Sequence, residues 1–512
     1  MSKISTYLGV DIGTTGTKAV LYNDQGQVLH VGRCEYPLYS PIPSVAEQNP
    51  DEIYAAVKHS IREAVSYELE HELQFISFSA AMHSVIAVDE RGKPLSNCIT
   101  WADSRATKWA NKIKSELNGH EIYLRTGTPI HPMSPLAKIT WIRHDKQELF
   151  NATSKFIGIK EYVFYQFFGR FLVDHSIASA TGMFNLFTKD WDAEALEVAG
   201  ISKDHLSTLV PTTEVITNLH EEIAAELNIA PTTRFIIGAN DGVLSNLGVN
   251  AIDPGVVAVT IGTSGAIRTV TNKPSTDSKG RIFCYVLTDE HWVIGGPVNN
   301  GGMTFRWVRD ELASAEVETA KRLGIDAYTV LTKIAERVQP GADGLLFHPY
   351  LAGERAPLWN ANARGSFFGL GLHHKREHMI RAVLEGVIFN LYTVLLALEE
   401  MIGIPQKIQA TGGFARSDLW RQMMADIFNQ PVTVPESYES SCLGAVVLGL
   451  YAIGEIEDFS IISEWVGSTH HHEPIEEHVE IYNELAPIYI RLSRKFNEEY
   501  EPIVEFQNKW VK

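Results

Sequence analysis

Val10-Asp11-Ile12-Gly13-Thr14-Thr15-Gly16-Thr17-Lys18 decides how the rest of the chain is read: an apolar strand delivers one carboxylate and then breaks into a turn of glycine and threonine. Glycine lets backbone N–H groups approach an oxyanion, threonine hydroxyls add donors, and Lys18 brings a positive charge to the same side. The turn is therefore read as a phosphate cradle, with Asp11 placed to hold the metal ion that accompanies phosphates. The pattern returns, about half the chain later, at Val259-Thr260-Ile261-Gly262-Thr263-Ser264-Gly265, after a second apolar strand over 256–260. Two such copies, each after a strand, suggest a duplicated domain whose halves close on one nucleotide. Thr260 stands where the first copy has Asp11, as a single metal carboxylate serving a shared site would require.

The chain has 512 residues, more than one ordinary core accommodates, and two domains of about 250 residues are the natural division. Hydrophobic residues at 45% and charged residues at 21% describe a soluble globular protein. The net charge of −18, with no basic stripe to offset it, argues against nucleic acid as a partner. The N-terminus runs straight into the first strand, and no apolar run of about 18 residues is seen that could span a bilayer, so a cytoplasmic protein with no membrane association is expected. Cys34, Cys98, Cys284 and Cys442 are scattered and read as buried free thiols.

From residue 7 the first half reads as a three-stranded meander: a strand, the phosphate turn, a strand over 18–22, a turn, and a strand over 28–34. Asn49-Pro50-Asp51-Glu52 then supplies a cap, a first-turn proline and acids at the positive end of the helix dipole, and Ile53, Val57, Ile61 and Val65 follow at helical spacing. Residues 75–79 read as a buried strand ending near Met82-His83, with a second hairpin over 85–93 beside it. Strand ends are where α/β sheets place ligands. Trp101-Ala102-Asp103-Ser104-Arg105 crowds an aromatic, a carboxylate and a guanidinium, the mixture a polyol needs; a surface salt bridge over a buried tryptophan is the plainer reading. Phe235-Ile236-Ile237-Gly238-Ala239 is another core strand, and Asp241 follows where it gives way to a helix.

After a short linker over 248–255 the second half repeats the layout. A long helix over 376–401 carries a core-facing apolar stripe, and a strand over 407–411 opens on Gly412-Gly413-Phe414-Ala415-Arg416-Ser417 ahead of a helix over 418–428. Side chains at that glycine pair would block a flat ring or a phosphate, so adenine is the expected occupant. Residues 442–450 read as a small-residue helix for close packing on a sheet, and residues 481–496 as an amphipathic helix kinked at Pro487. His470-His471-His472 points its rings in different directions and is not read as a metal site.

The phosphate and adenine elements, with carboxylates Asp11 and Asp241 at strand ends, call for nucleotide chemistry with a metal. No Gly-x-x-x-x-Gly-Lys-[Ser/Thr] sequence is present, which argues against a P-loop enzyme. Asp241 suits the alignment of an attacking hydroxyl and late acceptance of its proton. The chain resembles the FGGY carbohydrate kinases of the actin-like ATPase superfamily over essentially its full length. The motifs are Asp11-Ile12-Gly13-Thr14-Thr15, Met82-His83, Pro135-Leu136-Ala137-Lys138-Ile139-Thr140-Trp141, Gly238-Ala239-Asn240-Asp241-Gly242, Gly262-Thr263-Ser264-Gly265 and Gly412-Gly413-Phe414-Ala415-Arg416-Ser417.

That resemblance implies an α/β fold of two ribonuclease-H-like domains around a central cleft. A sugar-binding domain would occupy 1–247, an ATP-binding domain 256–455, and a helical extension docked on the core 456–512. It implies ATP and Mg2+ as cofactors, Asp241 as the base and Asp11 as the magnesium-linked carboxylate. ATP contacts are expected at Gly13, Thr14, Thr15, Lys18, Gly262, Thr263, Gly301, Thr304, Gly412, Gly413 and Ser417, and substrate contacts at Met82, His83, Trp101, Asp103, Lys160 and Asp241. Within the family, the stretches around Met82, Trp101, Pro129 and Lys160 look like the branch that phosphorylates D-gluconate; xylulose or another polyol is the alternative. A substrate carboxylate is best met by a charged donor, for which Lys160 is preferred over Arg105, Lys138 and His131. Gly242 departs from the asparagine that some xylulose kinases carry beside the base, and Ser417 from the asparagine of glycerol kinases. A nucleotide-driven chaperone or filament protein, or a silent sugar sensor, is the competing class, and the intact Asp241 argues against the sensor. A homodimer is implied at the level of the family only.

Overall fold

The computed structural model describes residues 4–67, 71–253, 255–435 and 439–510, so Pro254 of the expected linker and the ends of the expected first and last segments lie outside the described residues. The chain forms two compact units that are not contiguous in sequence. Unit 1 takes Met1–Asp253, Val270–Ile294 and Glu439–Gly467; unit 2 takes Pro254–Thr269, Gly295–Tyr438 and Ser468–Lys512.

Unit 1 is built on a sheet in the order Val215–Ile216, Arg234–Asn240, His71–Ala80, Ile4–Ile12, Gly16–Asn23, Val28–Glu35. Its centre is parallel, because Ile4–Ile12 and Arg234–Asn240 each run alongside His71–Ala80, while the three N-terminal strands form the expected antiparallel meander. Helix Pro50–Val65 starts where its cap dictates: Asn49 Oδ1 accepts the Asp51 N–H at 2.9 Å. Ile53, Val57 and Ile61 are buried in the core beside Leu8, Val10 and Phe78, each such side chain stabilising the fold by roughly 1.5–3 kcal/mol. Helix Ser440–Ala452 joins this unit and packs with Val243, Leu244 and Leu247 of helix Asp241–Leu247 in a second core.

The hairpin expected beside the strand at 75–79 forms elsewhere. Ile86–Val88 pairs antiparallel with Lys155–Ile157 in a separate two-stranded sheet. His83, at φ 69°, turns the chain out of the main sheet just after the strand ends, so the following residues find a different neighbour.

In unit 2, Val256–Ile261 pairs antiparallel with Gly265–Thr271 and parallel with Lys407–Thr411, and the sheet continues through Val432–Pro435 to Ser468–His472. Helix Arg376–Ile402 is, against expectation, long and apolar enough by composition to cross a membrane; 78% of that apolar stretch is buried inside the protein, so core packing explains its character. Glu476–Phe496 runs as one helix with Pro487 inside it, and a further helix, Tyr500–Trp510, follows. The three histidines lie in an edge strand, where His471 meets Glu473 and His472 accepts from Arg421 Nε at 2.9 Å; no cluster of metal-ligating side chains occurs among the described residues. All four cysteines are free, but Cys34 is only partly buried.

Candidate active site

Asp241 is the first residue of helix Asp241–Leu247, directly after strand Arg234–Asn240. Asn240 fixes that junction from both sides. Its Oδ1 caps the helix through the Val243 N–H at 2.9 Å, and its Nδ2 donates to Ser176 Oγ at 2.9 Å. The Asp241 carboxylate remains partly exposed, with Oδ1 accepting from the Gly242 N–H at 2.7 Å. The buried Asn240 thus fixes the strand-to-helix junction that carries this carboxylate, whose ionised form the helix N-terminus favours.

The residues expected around the substrate divide into two groups. Met82 is partly buried, and the Trp101 indole donates to Thr14 Oγ1 at 3.0 Å, which joins the aromatic loop to the glycine–threonine turn. His83 lies close by, with Nδ1 2.7 Å from the Ala180 carbonyl and Nε2 3.5 Å from the Tyr285 hydroxyl; donation to the carbonyl leaves Nε2 as the acceptor. Asp103 and Lys160, buried like His83, carry charged partners as well. Asp103 is 2% exposed, and its oxygens accept from the backbone N–H of Ala46 and from Arg105, whose guanidinium also reaches Glu47 and stacks over Trp141. Lys160 is 3% exposed, and its ammonium is enclosed by Asp174 Oδ2 at 2.7 Å and the carbonyls of Ile237 and Ala239 at 3.1 and 3.2 Å. Sequence spacing showed positive charge at Lys160 but not the acceptors that folding places around it.

Lys138 is likewise internal. It donates to the carbonyls of His83 and Thr100, both at 2.7 Å, tying the two substrate loops together, and burial pushes its ammonium down to about 7.

Asp11 is the last residue but one of strand Ile4–Ile12, opposite Lys18 on one neighbour and Ser79 on the other, and Ser79 Oγ donates to its Oδ1 at 2.7 Å. Burial pushes the Asp11 carboxyl up, opposed by Ser79 and Lys18. The turn that follows closes through the Gly13 N–H to the Gly16 carbonyl at 3.1 Å. Tyr36 and Gln48 donate to the Gly13 and Thr14 carbonyls at 2.6 and 2.7 Å, which lessens the negative potential facing an incoming anion. Thr15 is exposed, whereas the Lys18 ammonium is paired with Glu439 at 2.9 Å, so a phosphate would compete with that pair. The second copy of the pattern has the same register: Thr260 lies opposite Thr411, as Asp11 lies opposite Ser79, and the two hydroxyls are 3.0 Å apart.

Unit 2 contains a cavity of about 520 Å³, within the range of small-molecule sites. Of the residues expected at ATP, Gly262, Thr263, Gly413 and Ser417 line it, Gly301, Thr304 and Gly412 do not, and Thr304 is fully buried. Gly412 has φ 99°, and a Cβ there would fall on the Ile261 carbonyl, whereas a Cβ at Gly413 would meet nothing within 4 Å. The first glycine makes the turn and the second leaves the room. Phe305, Arg306, Tyr328 and Lys333, from helices Gly302–Trp307 and Ala327–Ala335, supply walls that the sequence reading missed. The Asp326 cap marks where the second helix starts, but only folding brings the Tyr328 ring 5.2 Å from Phe305.

A cavity large enough for a small molecule in one α/β unit and a partly exposed strand-end carboxylate in the other are features that a phosphotransferase acting on an alcohol requires. Models of the N- and C-terminal domains of the FGGY family of carbohydrate kinases match residues 6–248 and 257–453, and the chain belongs to that family. It is 63% identical over 504 residues to the gluconokinase of Bacillus subtilis (strain 168), covering 98% of each chain. Among solved structures, a gluconate kinase from Lactobacillus acidophilus is 37% identical with a TM-score of 0.92, covering 98% of this chain and 100% of that one. A ligand-bound xylulose kinase from the same organism gives the same identity, TM-score and coverage.

Proposed function

We propose that this enzyme transfers the γ-phosphoryl group of ATP to D-gluconate, giving 6-phospho-D-gluconate and ADP. The observation that carries the choice of sugar acid is the 63% identity to a gluconokinase along almost the whole chain. Asp241 aligns the attacking hydroxyl and accepts its proton as the phosphorus–oxygen bond forms. Met82, His83 and Trp101 border the polyol, and the unit 2 cavity holds the nucleotide. Asp11 is a single partly buried carboxylate oriented by Ser79, which fits Mg2+, an ion that takes one or two protein carboxylates and completes its shell with phosphate oxygens and water. When bound, Mg2+ would neutralise phosphate charge. Lys160, Arg105 and Lys138 each already donate to protein acceptors, with which a substrate carboxylate would compete.

The 37% likeness to a xylulose kinase structure supports a second reading, with a ketopentose as acceptor. ADP release measured with gluconate, xylulose, ribulose and glycerol decides between them. Gluconate should give the highest kcat/KM; a lead for xylulose would replace the sugar assignment.

Filling the cavity tests the nucleotide site. Gly413→Val adds atoms where the structure has room, so the fold should hold while KM for ATP rises about 10-fold. An unchanged KM would place the nucleotide elsewhere.

A further inference from the structure

We propose that Lys160 is a positioning residue for phosphoryl transfer, its ammonium holding the backbone bulge that sets the place of Asp241. The inference rests on the reading of Asp241 as the base. The bulge is visible in the strand register: Ile236 lies opposite Ser77 and Ala239 opposite Ser79, so Ile237 and Gly238 together face the single residue Phe78. Gly238 has φ 70°, a conformation glycine adopts without strain. A bulge takes carbonyls out of the ladder, and a buried carbonyl without a donor is costly. Lys160 Nζ supplies donors to the carbonyls on either side of Gly238, Ile237 at 3.1 Å and Ala239 at 3.2 Å, the second of them two residues before Asp241.

The far side of the ammonium is occupied by Asp174 Oδ2 at 2.7 Å, and both side chains are almost completely buried. Asp174 Oδ1 caps helix His175–Ser179 through the Ile177 N–H at 2.9 Å. Ser176 of that helix receives the Asn240 amide at 2.9 Å, so the network returns to the residue beside Asp241. Two routes from Asp174, one through Lys160 and one through Ser176, thus converge on the last residues before the base. A buried ion pair is weak support for stability, since well-packed apolar residues often serve as well. What an apolar pair cannot do is hold two bulge carbonyls in a fixed direction. Loss of that direction is expected to slow chemistry more than it weakens binding, because misplacement by about 1 Å costs on the order of 100-fold in rate.

Three variants test this, alongside Asp241→Asn as a control on the base reading. Lys160→Met should lower kcat about 100-fold with KM for ATP within about twofold of the parent, and should lower the unfolding temperature by stranding the Asp174 charge. Asp174→Asn leaves both carbonyl bonds of Lys160 in place and should keep kcat within about fivefold. The double variant removes the stranded charge, so its unfolding temperature should recover while kcat stays low. If the double variant turns over like the parent, or Asp174→Asn loses as much kcat as Lys160→Met, Lys160 serves stability alone and the proposal falls. Should Lys160→Met fail to fold, the other two variants still decide. Substantial turnover by Asp241→Asn would instead remove the base assignment, a separate result from either of these.

Discussion

Asp241→Asn is expected to lower kcat by about 10³-fold while ATP binds as before. The exchange preserves size and leaves a side-chain oxygen to accept the Gly242 N–H. Asn240 still caps the helix, so the local fold has no reason to move. What is lost is the negative charge that orients the attacking hydroxyl and the site that takes its proton. In phosphoryl transfer these act on the transition state rather than on the bound nucleotide, so kcat should carry the whole effect. Calorimetric titration of ATP into the variant, paired with an ADP-release assay, separates the two quantities. Turnover within about 10-fold of the parent would show that Asp241 is not the base.

Gly238→Ala is the second large effect, and it falls on stability and activity together. A Cβ at this position would land on the Phe78 carbonyl of the neighbouring strand, with φ fixed at 70°. The left-handed conformation costs an alanine about 1–2 kcal/mol, and relief of the overlap requires a shift of one strand, for about 1–3 kcal/mol more. For a unit of this size the sum lowers the unfolding temperature by about 10 °C. Whatever shift relieves the clash is passed to Asp241 three residues on, so kcat of the folded fraction should fall as well. Calorimetry and single-turnover kinetics on the soluble variant check both; a variant with parental stability would mean that the bulge does not exist as described.

Helix Pro50–Val65, strand Lys407–Thr411 and helix Asp418–Phe428 begin where their motifs indicate, because caps, first-turn prolines and glycine turns act between residues close in sequence. The two glycine–threonine turns follow the same logic. Lys160 carries no local sign of its partner, since only folding brings up Asp174 to pair with it, whereas the Asp103–Arg105 pair, two residues apart, is the salt bridge that the sequence already allowed. The walls given by Phe305 and Tyr328 escaped notice because an aromatic residue in an amphipathic helix carries no mark of the cavity it will face.

The sequence by itself determined the duplicated strand-and-turn plan, the strand-end carboxylates Asp11 and Asp241, and the family that carries them, since each is written in contiguous residues. Only the tertiary structure decided which polar side chains remain open to a ligand, and that helix Ser440–Ala452, so late in the chain, belongs with the first sheet. The physical reason is the same in both cases: burial and pairing are properties of neighbours in space, and the chain brings residues hundreds of positions apart into the same few ångströms.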